Sequence, residues 1–242
     1  MNERIVLRSE FPSKVNRVQT TKKLVTINPF WDNIEPLIHS EKAISLFQAE
    51  CDKRFCARYA FAIADPASIA FVAEYLHPHA IEIGAGNGYW AWQLSQCGID
   101  ILAYDIVSVD QMWEKGYFSP VDKETRARLG ILTQTWYPVQ QGGPKTAREH
   151  PDRTLFLCWP VRNTNMASQC LQHYQGKRLV YIGEYRSGTT GDDLFFDMLE
   201  NEWIEIARHD IAQWNGAHDG ITVYESLFEK GSITGLNSHS AV

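Results

Sequence analysis

The stretch AIEIGAGNGYW at residues 80–90 constrains the fold more than any other part of the chain. A short apolar run containing one acid leads into glycines at 84, 86 and 88, then into two aromatics. A tight turn alone needs only one glycine. Three at alternate positions let the backbone swing from a strand into a helix and leave a surface that a ligand can approach closely.

The rhythm around this stretch is strand then helix. ADPASIAFVAEYL reads as a helix capped by Asp65, with Pro66 in its first turn and Ile69, Val72, Ala73 and Leu76 on one face. Before it, HSEKAISLFQAECDKRF has Ser40 as a cap and apolar Ile44, Phe47, Cys51 and Phe55 at helical spacing. After the glycines, YWAWQLSQC is a helix closed by Gly98, and IDILAYD is the second strand. ILTQTWY (131–137) is a weaker third strand, and TLFLCW (154–159) is an apolar fourth strand buried on both faces. MASQCLQHYQ is a helix, RLVYIG the fifth strand, and DDLFFDMLEN a helix capped near Asp192. WIEIARHDI and GITVYES follow, joined by AQWNGAHD with no room for a helix, so they pair antiparallel.

This alternation predicts an α/β doubly wound, seven-stranded, mostly parallel sheet with a C-terminal antiparallel hairpin, helices on both faces and an N-terminal helical extension. The expected divisions are an irregular arm at 1–28, N-terminal helices at 29–79, the core at 80–229 and a flexible tail at 230–242. In such sheets ligands bind beyond the carboxyl ends of the strands, where the strand order reverses. The glycine loop follows the first strand of the series and belongs at that place.

Composition narrows the functional classes. Hydrophobic content of 44% and charged content of 21% describe a globular chain. No stretch reaches the roughly 20 apolar residues of a membrane helix, and MNERIVLRSE lacks a signal-peptide core, so the expected compartment is the cytoplasm. Five scattered cysteines form no zinc or disulfide pattern, and no metal site is expected; His77 and His79 precede the first strand, at the wrong end for one. A net charge of -6 argues against a general nucleic-acid surface. The exception is the arm, where Arg4, Arg8, Lys14, Arg17, Lys22 and Lys23 face two glutamates. It reads first as a solvated tail and second as a phosphate-contacting arm.

The spacing of the glycines discriminates between ligands. A dinucleotide fingerprint G-x-G-x-x-G starting at Gly84 would need glycine at 89, which is Tyr89. The pattern here is G-x-G-x-G, with Glu82 two residues before it. A carboxylate there repels a pyrophosphate and suits an ammonium group. S-adenosylmethionine carries an ammonium and a sulfonium and no phosphate. Asp105 ends the second strand, where a carboxylate can accept bonds from ribose hydroxyls; this feature is shared with NAD enzymes.

EIGAGNGYW followed by AYD resembles motifs I and II of the class I, Rossmann-like methyltransferases that use S-adenosylmethionine. The resemblance covers about residues 58–226. It implies that Glu82, Gly84, Gly86 and Gly88 cradle the methionine part and that Asp105 holds the ribose. Ala85, Tyr89 and Ile106, next to these positions, are expected to line the same cofactor site. RYAFAIADP, LFLCWP, YIGEY and WNGAHDGITVYE also look like one poorly characterised methyltransferase-like family, in which C-W-P-P is the commoner form. Val161 stands here in place of the second proline.

The acceptor side is less defined. Methyl transfer is an in-line displacement at an activated carbon, so positioning can supply much of the catalysis. Many methyltransferases acting on nucleobase amines carry Asn or Asp before two prolines at the end of the fourth strand; this chain has Cys158 and Trp159, which supply no strong acceptor. Both are candidates for the cofactor site, with Trp159 stacking on adenine or substrate or else packing in the core. Trp136, taken to follow the third strand, is a candidate adenine contact. Glu184 is the candidate base, against an ion pair with Arg186 or a capping role. Tyr59 is the second catalytic candidate, against core packing. RSGTTGDD (186–193) could cover the site, and Asp192 and Asp193 read as helix N-terminal acids. His218 in WNGAHDG is a weak candidate. The long segment 106–153, with Trp113, Tyr117, Phe118, Trp136 and Tyr137, could wall a substrate pocket. The expected function is methyl transfer from S-adenosylmethionine to a small molecule. The alternatives are a protein or nucleic-acid acceptor, a cofactor-binding subunit without turnover, and an NAD-dependent oxidoreductase. Oligomeric state is not legible.

Overall fold

The computed structural model describes residues 27–38, 51–108, 111–112, 124, 134–186, 188–214 and 216–228. Two helices, α1 (Pro29–Ile38) and α2 (Cys51–Arg58), precede α3 (Pro66–Leu76). Then come β1 (His79–Ile83), α4 (Tyr89–Gln96), β2 (Asp100–Asp105), β3 (Val139–Gln141) and a 3-10 turn at Pro144–Glu149. β4 (Thr154–Cys158), α5 (Met166–His173), β5 (Arg178–Gly183), α6 (Asp193–Glu202), β6 (Trp203–Asp210) and β7 (Gly220–Ser226) complete the described elements.

The seven strands form one sheet in the order β3-β2-β1-β4-β5-β7-β6. β1 to β5 run parallel, and β7 lies antiparallel between β5 and β6. This is the sheet that the alternation predicts, including its terminal hairpin. The order reverses at β1, which has β2 on one side and β4 on the other. Chain connections therefore leave a crevice above the carboxyl end of β1.

Strand residues alternate between two cores, as the two-residue period requires. Ala80, Phe156, Val180, Ile182 and Val223 join one cluster with Ile69, Val72, Trp90 and Leu94 from α3 and α4. Ile81, Ile83, Leu155, Leu157 and Leu179 join the other with Leu171 of α5 and Phe195, Phe196 and Leu199 of α6. Burial on both faces explains why β4 reads as an unbroken apolar run. Replacing Phe156, which is fully buried, with alanine would cost about 3–5 kcal/mol.

Capping sets the helix starts. The Asp65 side chain accepts from the amides of Ala67 and Ser68 at 3.0 and 2.9 Å, with Pro66 in the first turn. Its other oxygen accepts from Ala212 N–H at 3.3 Å and so ties α3 to the end of β6. Asp192 caps α6 through Phe195 N–H at 3.2 Å and also receives Ser168 N–H of α5 at 3.1 Å.

The third strand differs from expectation. Residues 131–133 lie outside the described residues, and Gln134–Tyr137 is not strand. Pairing with β2 begins only at Val139, because Pro138 has no amide to give a ladder and Trp136 and Tyr137 are bonded elsewhere. Trp136 N–H donates to Asn87 O at 2.8 Å, and the Tyr137 hydroxyl donates to Ile101 O at 3.1 Å. The arm before residue 27, the stretch 39–50 with its Ser40 cap, the aromatics Trp113, Tyr117 and Phe118, and the tail from 229 lie outside the described residues. Among the described residues, no helix is long and apolar enough to cross a membrane.

Candidate active site

The glycine loop joins β1 to α4 over the crevice. Gly84 N–H and Ala85 N–H both donate to Tyr104 O, at 2.8 and 3.0 Å, which pins the loop to the end of β2. Gly88 N–H returns to Ala85 O at 2.8 Å and closes the turn. Two of the glycines are required for different reasons. Gly88 has φ +79, and a Cβ there would stand 2.9 Å from Tyr137 Cβ, so the loop and the 136–137 aromatics need its bareness to pack. Gly86 has φ +59 and nothing within 4 Å of where its Cβ would be. Its freedom opens onto empty space.

That space is a cavity of about 350 Å³. Its floor is Glu82 to Asn87; Asp105, Ile106 and Val107 flank it from β2; Cys158 to Val161 flank it from β4. Cys56, Tyr59, Ala60 and Phe61 come over it from α2 and the following loop, and Gly142, Gly143 and Pro144 from the loop after β3. Thr164, Asn165, Met166 and Gln169 add the start of α5.

Two carboxylates sit on this lining. Glu82 is 2% exposed, and its Oε2 has no hydrogen-bond partner among the described residues. Burial first, and then the charge of Asp105, push its pKa from 4.5 up to about 8. Asp105 is buried too; burial raises its pKa, and the amides that it binds oppose the shift. Its Oδ2 accepts from Gly86 N–H at 2.9 Å and its Oδ1 from Val107 N–H at 3.2 Å. Each carboxylate oxygen retains a lone pair for a further donor.

At the β4 flank, Trp159 adopts φ +55, in the left-handed region that bulky residues avoid. Its ring stacks on Phe61 at 4.7 Å and 8°, and its Nε1–H donates to Asp219 Oδ1 at 2.9 Å. Asp219 is buried, and burial pushes its pKa up to about 6. Cys158 beside it has a thiol raised well above the usual range by burial, with Glu82 and Asp219 adding to the shift. A thiol so held is no nucleophile at neutral pH.

Most residues singled out from the sequence meet here. Glu82, Gly84, Ala85, Gly86, Tyr89, Asp105, Ile106, Cys158, Trp159 and Tyr59 line the one cavity. Gly88 shapes the loop without lining it.

Two readings need correction. Glu184 does not line the cavity, and its oxygens are already taken: Oε2 by the Thr189 amide and hydroxyl at 2.5 and 3.0 Å, Oε1 by His218 N–H at 2.8 Å. Burial raises its pKa, but these bonds outweigh that and leave it below the ordinary carboxylate value, which makes a poor base. It fastens the 184–190 loop to the β6–β7 connection. Arg186 pairs instead with Asp197 and Glu200 of α6. Trp136 precedes the third strand and packs away from the cavity against Tyr59, Tyr89 and Trp92, its indole donating to Arg58 O at 2.7 Å. Tyr59 lies on the cavity lining, where burial raises its hydroxyl pKa, the hydroxyl receives Asn33 Nδ2–H at 3.3 Å, and the ring stacks on Phe30 at 4.9 Å. Tyr89, though on the lining, spends its hydroxyl on Asn28, Phe30 and Gln93.

Sequence reasoning missed the Gly142–Gly143–Pro144 corner, the start of α5, and the grip of Asp219 on Trp159. The paired glycines were a usable signal, hidden by the misplaced third strand. Nothing local marks the Asp219 contact, which spans 60 residues.

Searches with family models and against curated proteins found no match. Solved structures do resemble the chain. An rRNA methylase from Streptococcus thermophilus is 14% identical, covers 67% of this chain and 96% of its own, with TM-score 0.39. A magnesium protoporphyrin IX methyltransferase from Synechocystis, solved with bound SAM, is 14% identical over 76% of this chain and 95% of its own, with TM-score 0.41. A precorrin-6y C5,15-methyltransferase from Geobacter metallireducens is 11% identical over 70% and 93%, with TM-score 0.38. At these scores none of them informs the chemistry of this chain, whose own residues decide it.

Proposed function

We propose that this chain is a methyltransferase that binds S-adenosylmethionine over the 84–88 loop and methylates a small molecule. The observation that carries the reading is the buried Glu82 carboxylate, with an unpartnered oxygen on the same cavity as Asp105. A buried carboxylate oxygen without a donor is costly unless a ligand supplies one. An amino-acid ammonium supplies three. A pyrophosphate supplies none and is repelled, which weighs against a dinucleotide.

The donor set fits the whole cofactor. Glu82 would take the ammonium, and the bare backbone at Gly86 would let the ligand lie close. Asp105, already oriented by the Gly86 and Val107 amides, would accept ribose hydroxyls. Ile106 and Val107, apolar and next to it, suit the adenine edge. Bound S-adenosylmethionine would supply a methyl group on a sulfonium, open to in-line attack. The chain's own part is to bind, orient and exclude water. The described lining carries no lysine or arginine, which supports a small acceptor over a phosphate-bearing polymer.

The experiment is transfer of labelled methyl from S-adenosylmethionine into separate small-molecule, RNA and protein fractions of a cell extract. Label should enter the small-molecule fraction. Label confined to RNA or protein would give the polymer-acceptor reading, and binding without any transfer would leave a cofactor-binding subunit.

A further inference from the structure

The cavity's two flanks differ in chemistry. Strand order places β2, with Asp105, on one side of Glu82 and β4, leading into Trp159, on the other. Glu82 and Asp105 account for a methyl donor on the β2 flank. The β4 flank is walled by Phe61, Trp159, Pro160 and Val161, all without charge.

No lysine, arginine or histidine occurs among the described lining residues. An acceptor bearing carboxylate or phosphate would find no counter-charge there, only carboxylates that repel it. Glu82 and Asp105, the carboxylates among the described lining residues, are taken by the methyl donor. The Tyr89 hydroxyl is bonded to Asn28, Phe30 and Gln93, the Tyr59 hydroxyl accepts from Asn33, and Glu184 stands outside the lining.

What the flank does hold is a prepared aromatic face. Trp159 is fixed by three independent features: its left-handed backbone, its stack on Phe61 and its hydrogen bond to Asp219. Backbone strain of this kind persists where the surroundings over-determine it, commonly at ligand sites. Tryptophan offers the strongest ring face for a cation. Donation of its N–H to a carboxylate that is 2% exposed places negative charge at the edge of that ring.

We propose that this flank takes a neutral nitrogen heteroaromatic as methyl acceptor and holds its methylated cation against Trp159. The inference rests on the methyl-donor reading above. The nitrogen lone pair forms the new N–CH3 bond as the C–S bond of the sulfonium breaks. The bonding pair stays on sulfur, which becomes a neutral thioether, and the positive charge passes to nitrogen. No proton leaves, so no base is needed.

The test uses the full chain, calorimetry and three flat probes in the presence of S-adenosylhomocysteine: N-methylquinolinium, neutral quinoline and quinoline-3-carboxylate. The cation should bind at least tenfold more tightly than the carboxylate, with quinoline between them. Asp219→Asn should narrow that preference severalfold while S-adenosylhomocysteine affinity holds. Equal binding of cation and carboxylate, or failure of all three probes on a protein that binds S-adenosylhomocysteine, overturns the acceptor class alone. Failure of S-adenosylhomocysteine itself overturns the methyl-donor reading and this inference with it.

Discussion

Asp105 stands two residues beyond Ala103, the β2 partner of Glu82, so the two carboxylates share one face of the sheet and one cavity. Their proximity raises the Glu82 pKa beyond what burial alone does. Like charges held together in a dry crevice favour a cation between or above them.

Glu82 should make stability and binding depend on pH in opposite senses. Its pKa rises from 4.5 to about 8 on folding, so the folded chain keeps a proton that the unfolded chain releases. Stability should therefore fall as pH rises through that window, by at most about 1.4 kcal/mol per pH unit. Pairing with an ammonium needs the carboxylate, so ligand binding at pH 7 should release a proton and tighten as pH approaches 8. Calorimetric enthalpies in phosphate and Tris should differ for wild type and agree for Glu82→Gln. Buffer-independent wild-type binding would remove Glu82 from the ammonium role.

Asp105→Ala should weaken S-adenosylhomocysteine binding by about 1–3 kcal/mol, the cost of leaving buried donors unpaired. It also strips the Gly86 and Val107 amides of their acceptor, so the melting temperature should drop with it. Wild-type affinity in the variant would place the ribose elsewhere.

The loop glycines should separate binding from folding. Gly86→Val projects a side chain into open cavity and should abolish cofactor uptake, with a stability loss of about 1–2 kcal/mol from its positive φ. Gly88→Ala should mainly destabilise, because its Cβ meets Tyr137. Denaturation curves paired with titrations distinguish the two. Normal uptake by Gly86→Val would contradict the placement of the ligand over the loop.

Glu184→Gln should lower stability without changing S-adenosylhomocysteine affinity, since its oxygens hold Thr189 and His218 rather than the cavity. Because its pKa is depressed, the stability that it contributes is present above the unfolded carboxylate value and lost as pH falls through the folded one. In urea melts the gap between wild type and variant should be full at pH 7 and shrink as the pH is taken progressively below the ordinary carboxylate value.

The sheet was legible because both cores print themselves on the strands: Ala80 and Phe156 turn one way, Ile81 and Leu155 the other, leaving apolar runs between punctuating glycines. That Glu82, Gly86 and Asp105 border one crevice was legible because the turn after β1 and the end of β2 are marked by near neighbours in sequence. β3 was not, since three residues at a sheet edge carry little pattern and the aromatics before it mimic a strand. Glu184 misled for a related reason. Its place after β5 was read correctly, but its partners, Thr189 and His218, come from two loops that only the closed β5–β7 pairing brings together. The stack of Phe61 on Trp159 and the Asp219 bond are likewise long-range packing, which no local spacing records.

The most direct measurement is calorimetric titration of S-adenosylmethionine, S-adenosylhomocysteine and NADH into the purified chain, with thermal melts alongside. Both adenosyl ligands should bind, and at about 100 times the dissociation constant each should add roughly 2.7 kcal/mol of stability. For a chain of this size that is about 5–10 °C in melting temperature. Binding of NADH with no response to either adenosyl ligand would contradict the assignment of Glu82 and the 84–88 loop to a methyl donor.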